Sequence, residues 1–120
     1  MPKNIVVLSD GTGQEGGTGN NTNVYKLFNM VEDRTANQIT FYDRGLGTGW
    51  RRLTGNVAGM GISQNIFECY KFIFDNYMAD DNIFLLGFSR GATTVRSLSA
   101  FIHLFGILPK SRPELIKKAY

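Results

Sequence analysis

The 120-residue chain contains one cysteine, Cys69, and one histidine, His103. A lone cysteine excludes an internal disulfide, and it excludes a metal site built from a cysteine cluster of this chain. A lone histidine leaves any imidazole chemistry with one candidate. Long apolar runs are also missing. The N-terminus, MPKNIVVLSDG, breaks at Asp-Gly after a short apolar run, and no window approaches the roughly 18 apolar residues of a membrane span. Neither a secretory signal nor a transmembrane segment is expected, and the first expectation for location is the cytoplasm. Tracts of a single charge are absent, and 42% hydrophobic with 19% charged residues is the balance of a chain that folds.

Positive charge is scarce away from one end. The formal net charge is +3, and Lys110, Arg112, Lys117 and Lys118 all lie in the last eleven positions. The remainder is nearly neutral, without the basic stripe interleaved with aromatics that a nucleic-acid surface presents. The tail reads as a solvated helix face, and no nucleic-acid partner is expected.

Glycine is plentiful, with 14 residues, and it punctuates a regular pattern. Asn4 to Ser9 (NIVVLS) is apolar without polar alternation, as a strand buried on both faces requires. The glycine-rich stretch up to Asn21 is a loop, after which Asn21 or Thr22 caps a helix with Val24, Leu27, Phe28 and Val31 on one face. Gln38 to Asp43 (QITFYD) is a second strand, and Arg44 to Gly61 a second glycine-rich loop. Ile62, Ile66, Cys69 or Tyr70, Ile73 and Tyr77 then recur at helical spacing. Asn82 to Gly87 is the third strand, and a third helix runs from about Arg90 to Phe105, closed by Gly106 in a C-cap position. Ser111-Arg112-Pro113-Glu114 reads as a capping box that opens a fourth helix.

Strand and helix alternating three times predict right-handed crossovers on a parallel sheet, an α/β fold in three layers. The length suits one domain. Three strands are few for such a sheet, so residues 1–120 are expected to be the N-terminal, nucleophile-bearing part of one α/β-hydrolase-like domain. A further region or a partner chain would then complete the sheet.

In open parallel sheets ligands bind beyond the carboxyl ends of the strands. That rule gathers SDGTG, YDRGLGTGW and GFSRGA at one rim, with Asp10, Gly11, Thr12, Asp43, Arg44, Ser89 and Arg90 in one neighbourhood. The third loop is Gly-x-Ser-x-Gly between strand and helix, the context of a nucleophile elbow. Gly87 and Gly91 leave room for the strained turn, and Ser89 sits at a helix N-terminus that favours a developing oxyanion. The backbone N–H of Arg90 is one expected oxyanion donor, and the second is expected from Gly11 or Thr12. His103 lies fourteen residues further along the same helix, roughly 20 Å away, so it cannot serve Ser89 as a base. Downstream of Ser89 the only other triad candidate is Glu114.

Two further readings attach to these residues. Asp10 and Asp43 at adjacent strand ends suit metal-assisted phosphoester hydrolysis, although Asp before Gly more often caps its own loop. Arg51 and Arg52 beside Trp50 suit a clamp for an anionic group, although an exposed loop tip is the plainer account. A third alternative is a non-catalytic module that binds a partner through an uncovered sheet edge.

Several stretches together carry a family resemblance. They are the first strand with DGT at Asp10 to Thr12, TNVYKLF at Thr22 to Phe28, FYDRGLGTG at Phe41 to Gly49, NIFECYKFI, and IFLLGFSRGATTVRSL at Ile83 to Leu98. On these the chain resembles the DUF2235 family of α/β-hydrolase domains, which includes phospholipase effectors of bacterial type VI secretion. The resemblance implies a cofactor-free serine hydrolase acting on carboxyl esters, in some members phospholipid acyl chains. Ser89 would be the nucleophile and the DGT loop would lie near the oxyanion. It also implies that the family's acid and histidine lie in a C-terminal part without counterpart here, and that secretion-system delivery is an alternative to residence in the cytoplasm.

Overall fold

A computed structural model describes residues 2–11, 22–31, 33–44 and 55–119. Thr12, Trp50, Arg51, Arg52 and most of the two glycine-rich loops lie outside the described residues. The elements are β1 (Asn4–Ser9), α1 (Asn23–Met30), β2 (Gln38–Asp43), α2 (Gly55–Asn76), β3 (Asn82–Gly87), α3 (Arg90–Phe105) and α4 (Leu115–Ala119). The expected α/β class holds, and all three strands begin and end where the apolar runs do.

The sheet is parallel with order β2-β1-β3. In register, Asn4 stands beside Gln38 and Asn82, and Ser9 beside Asp43 and Gly87. β1 is central, which explains why its sequence is apolar throughout: Ile5, Val7 and Leu8 are fully buried and Val6 nearly so. The first crossover places β2 on one side of β1, and the second returns past β1 to place β3 on the other. Right-handed connections running in opposite directions put their helices on opposite faces.

The two cores follow this division. On one face Ile5 and Val7 pack with Cys69, Tyr70, Ile73 and Phe74 of α2, Leu98 of α3 and Ile116 of α4, and Ile39, Phe41, Ile83 and Leu85 border them. On the other face Val6 and Leu8 meet Val24 of α1, flanked by Leu27, Phe28, Tyr42 and Leu86. Each fully buried aliphatic side chain contributes about 1.5–3 kcal/mol, so the larger face carries most of the packing. Tyr70 ties its periphery together: its hydroxyl donates to the Gly106 carbonyl at 2.9 Å and accepts the Leu108 N–H at 3.0 Å.

Two helix starts differ from expectation. α2 begins at Gly55, six residues before the end of the expected loop at Gly61. Each glycine costs about 1 kcal/mol in a helix, but propagation from the long apolar segment that follows is cooperative and absorbs that cost. α4 begins at Leu115, after the expected capping box. Glu114 does not reach back to Ser111. Its carboxylate accepts from Arg112 Nε at 3.0 Å, and 112–116 form a turn with N–H bonds from Leu115 to Arg112 and from Ile116 to Pro113. α3 keeps its expected bounds, and Gly106 ends it at φ 68° and ψ −163°, a glycine conformation, while donating its N–H to the Ile102 carbonyl. Among the described residues no helix is long and apolar enough to cross a membrane.

The amino ends of the strands are stapled by one ion pair. Lys3 donates its backbone N–H to Asp81 Oδ1 at 2.9 Å and its ammonium to Oδ2, and Met78 N–H donates to Oδ2 at 2.9 Å. Burial disfavours the charged Asp81 carboxylate, but these donors outweigh it and hold the group at about 2, below its ordinary 3.8. A lowered carboxyl stabilises the fold above its unfolded value, and the stabilisation is lost as pH falls through the folded one. Thermal melts should therefore show Asp81→Asn less stable than wild type at pH 7, with the difference closing between about pH 4 and pH 2. A difference that stays constant over that window would contradict the pairing.

Candidate active site

The carboxyl ends of β1 and β3 meet where the strand order reverses, the place in an open α/β sheet where a crevice forms. Ser9 O accepts the Phe88 N–H at 3.1 Å, and Phe88 O accepts the Gly91 N–H at 2.9 Å. The chain therefore turns from β3 into α3 within two residues, Phe88 and Ser89. The two glycines explain how it can. A β-carbon on Gly91 would stand 2.0 Å from Ser9 O and 2.6 Å from Asp10 O, and one on Gly87 would stand 2.4 Å from Gly91 O. These distances leave no room for any side chain, so the first turn of α3 rests directly on backbone.

Ser89 bears the consequence. It is the N-cap of α3 with φ 57° and ψ −121°, a conformation that costs a non-glycine residue about 1–3 kcal/mol. Serine at an N-cap ordinarily accepts an N–H of the first turn with its hydroxyl. Here the hydroxyl makes no cap bond, and the residue is exposed. Gly11 lies against it, since a β-carbon on Gly11 would be 3.2 Å from Ser89 Cβ and 3.5 Å from the Phe88 ring. The predicted convergence of the first and third loops is therefore present, and Arg44 follows the last residue of β2 at the same rim, exposed.

Asp10 is fully buried and spoken for by protein donors. Its Oδ1 accepts the Gly11 N–H at 2.8 Å, while Oδ2 accepts the Thr22 hydroxyl at 2.6 Å and the Tyr42 hydroxyl at 2.5 Å. Thr22 is also the N-cap of α1, taking the Tyr25 N–H at 3.1 Å, so one carboxylate joins β1, β2 and α1. Burial, and then the bond to Asp10, push the Tyr42 phenol well above its ordinary range and keep it a donor. Asp43 is buried beside it, with Oδ2 accepting Ser9 Oγ at 2.8 Å. The loop-capping account of Asp10 thus matches its bonding. Gly11 offers Ser89 its bare Cα, with its own N–H engaged on Asp10.

His103 is exposed in the last turn of α3, a helix unbroken from Arg90, and the rise per residue keeps it roughly 20 Å from Ser89. The Cys69 thiol, 4.0 Å from Asp43, is pushed far up by burial and then by that carboxylate, so it stays neutral and unreactive. Tyr42, Thr22 and Ser9 escaped the sequence reading as partners of the two aspartates. The available signal was the position of Asp10 directly after a fully apolar strand, because a carboxylate buried there must find donors. Phe88, 53% exposed beside Ser89, was also missed.

A family model described as "T6SS, Phospholipase effector Tle1-like, catalytic domain" matches residues 3–120. The chain belongs to this family. It is also 32% identical over 135 residues to the uncharacterized protein YEL023C of Saccharomyces cerevisiae, an alignment covering 98% of this chain and 20% of that protein. The chain thus spans about a fifth of the length of that relative. No solved structure matches it.

The strain at Ser89 makes a stability test of this turn from β3 into α3. Glycine tolerates positive φ, so Ser89→Gly should raise stability by about 1 kcal/mol. Gly91→Ala should lower it by about 3 kcal/mol or more, the upper end of overpacking costs. Chemical denaturation reads both, and a stabilised Gly91→Ala or a destabilised Ser89→Gly would contradict the geometry.

Proposed function

We propose that this chain carries the nucleophile of a serine hydrolase that cleaves carboxyl esters of lipids, with Ser89 as the attacking residue. The observation that supports it most is Ser89 itself, which holds a strained backbone while leaving its hydroxyl uncommitted at the switch point of the sheet. The packing of Gly87 and Gly91 imposes this backbone on whatever residue stands there, and glycine would adopt it without strain, so a serine kept at the position supports a role for its hydroxyl. Membership of a family described by phospholipase effectors supports lipid esters as the substrate class.

In this scheme Ser89 Oγ attacks the ester carbonyl and gives up its proton to a general base. Negative charge develops on the carbonyl oxygen next to the N-terminus of α3. The Arg90 N–H lies at that helix start with no protein acceptor among the described residues. A preorganised donor of this kind contributes about 3–4 kcal/mol to the transition state. The Gly11 N–H is already engaged on Asp10, so of the two expected second donors Thr12, outside the described residues, is the one left to this scheme. Arg44 stands at the β2 side of the rim, where its guanidinium can pair with an anionic head group. Asp10 and Asp43 act by holding the rim in shape. The base and its acid partner come from outside these 120 residues, because His103 is on the wrong end of α3.

A fluorophosphonate probe applied to the full-length protein should label Ser89, and Ser89→Ala should abolish labelling. Ester hydrolysis by Ser89→Ala should fall by about 10³-fold or more, as the loss of an activated nucleophile entails. Equal hydrolysis by the two proteins would overturn the assignment.

A further inference from the structure

The three strand ends present different chemistry in spatial order. An exposed cation, Arg44, follows β2; buried Asp10 and Gly11 follow β1; and exposed Phe88 and Ser89 follow β3. Phe88 is 53% exposed, and its ring edge lies 3.5 Å from where a Gly11 β-carbon would stand. It therefore packs against buried Gly11, as Ser89 does. Large aromatic side chains are ordinarily withdrawn from water, and one left out beside a reactive group marks a contact surface.

The surface extends away from the nucleophile. Side chains alternate along a strand, so Phe84 and Leu86 share a face, the one that carries α1. α1 packs over β1 and β2. Phe84 is left 48% exposed, while Leu86 is partly buried against Leu8 and its neighbours. Phe84 to Phe88 forms an apolar ledge roughly 13 Å long, by strand rise. It leads to Ser89 on the side opposite Arg44. Seen from the nucleophile, one flank is apolar and the other cationic, the polarity of a lipid ester with an anionic head.

We infer that Phe88, continued by Phe84, is the wall against which the acyl chain of the substrate lies, and that it sets a preference for long acyl chains over short ones. This rests on Ser89 being the nucleophile. Gly11, buried beside both residues, contributes by having no side chain to hold Phe88 and Ser89 apart, so that the carbonyl reaches Ser89 while the chain turns onto the exposed Phe88 ring. No covalent step is added to the proposed reaction, and Phe88 acts on specificity alone.

Labelling of the full-length protein by two fluorophosphonates, one carrying an ethyl and one a dodecyl chain, tests this. Both are used below the concentration at which the longer one aggregates. Wild type should react faster with the dodecyl probe. The dodecyl-to-ethyl rate ratio should fall about tenfold or more in Phe88→Ala, a loss in keeping with pocket discrimination by apolar groups, and largely persist in Phe88→Leu. The ratio cancels any loss common to both probes, including partial misfolding. A wild-type ratio near one, or a ratio unchanged by Phe88→Ala, overturns the acyl wall while leaving Ser89 in place. The latter is the result if another segment of protein covers the ring. Failure of both probes to label Ser89 overturns the nucleophile and the wall together.

Discussion

The approach of α3 to the end of β1 is the contact on which the rest of the rim depends. Gly91 rests on the Ser9 and Asp10 carbonyls so closely that a single β-carbon would stand 2.0 Å from oxygen. Because the helix sits this low, it must begin almost where β3 ends, and the connection is reduced to Phe88 and Ser89. The hydrogen bonds from Phe88 to Ser9 and from Gly91 to Phe88 lock that short path. Ser89 is then forced to a positive φ. Strain of this kind persists where surrounding packing over-determines it, and here the packing is that of two glycines on backbone.

The same contact needs a rigid floor, which two buried carboxylates supply. Burying a charge is expensive unless donors surround it, and Asp10 collects donors from the following turn, from the cap of α1 and from Tyr42 of β2. Asp43 takes the Ser9 hydroxyl across the neighbouring pair of strands. The end of β1 is thus bonded on both sides, to the aspartate network through β2 and to the turn into α3 through Phe88. Burial keeps the Tyr42 phenol and the Cys69 thiol protonated, while Ser89 stands exposed at the rim.

Much of this was legible in the sequence. The strands announced themselves as apolar runs ended by Asp10-Gly11, Asp43-Arg44-Gly45 and Gly87-Phe88-Ser89, since β1 is buried on both faces and its neighbours share that core. Gly87 and Gly91 were legible because only a turn crowded by backbone requires glycine at both places. The start of α2 was not, because glycine-rich sequence reads as loop and cooperative extension from Ile62 onward is a property of the whole helix. The late start of α4 was hidden for a related reason: the Ser111 to Glu114 pattern has the right letters, but Arg112 takes the Glu114 carboxylate first. The sheet order and the partners of Asp10 depend on which strands become neighbours, and local sequence carries little of that information. Phe88 was overlooked because a phenylalanine after an apolar strand reads as core until its 53% exposure is known.

The most direct measurement is a crystal structure of the full-length protein after phosphonylation. The expected electron density shows phosphorus bonded to Ser89 Oγ, Ser89 still at positive φ, and a phosphonyl oxygen within hydrogen-bonding distance of the Arg90 N–H. Ser89 at a negative φ with its unmodified hydroxyl accepting an N–H of the first turn of α3, and phosphorus on another residue, would contradict the elbow as a catalytic device.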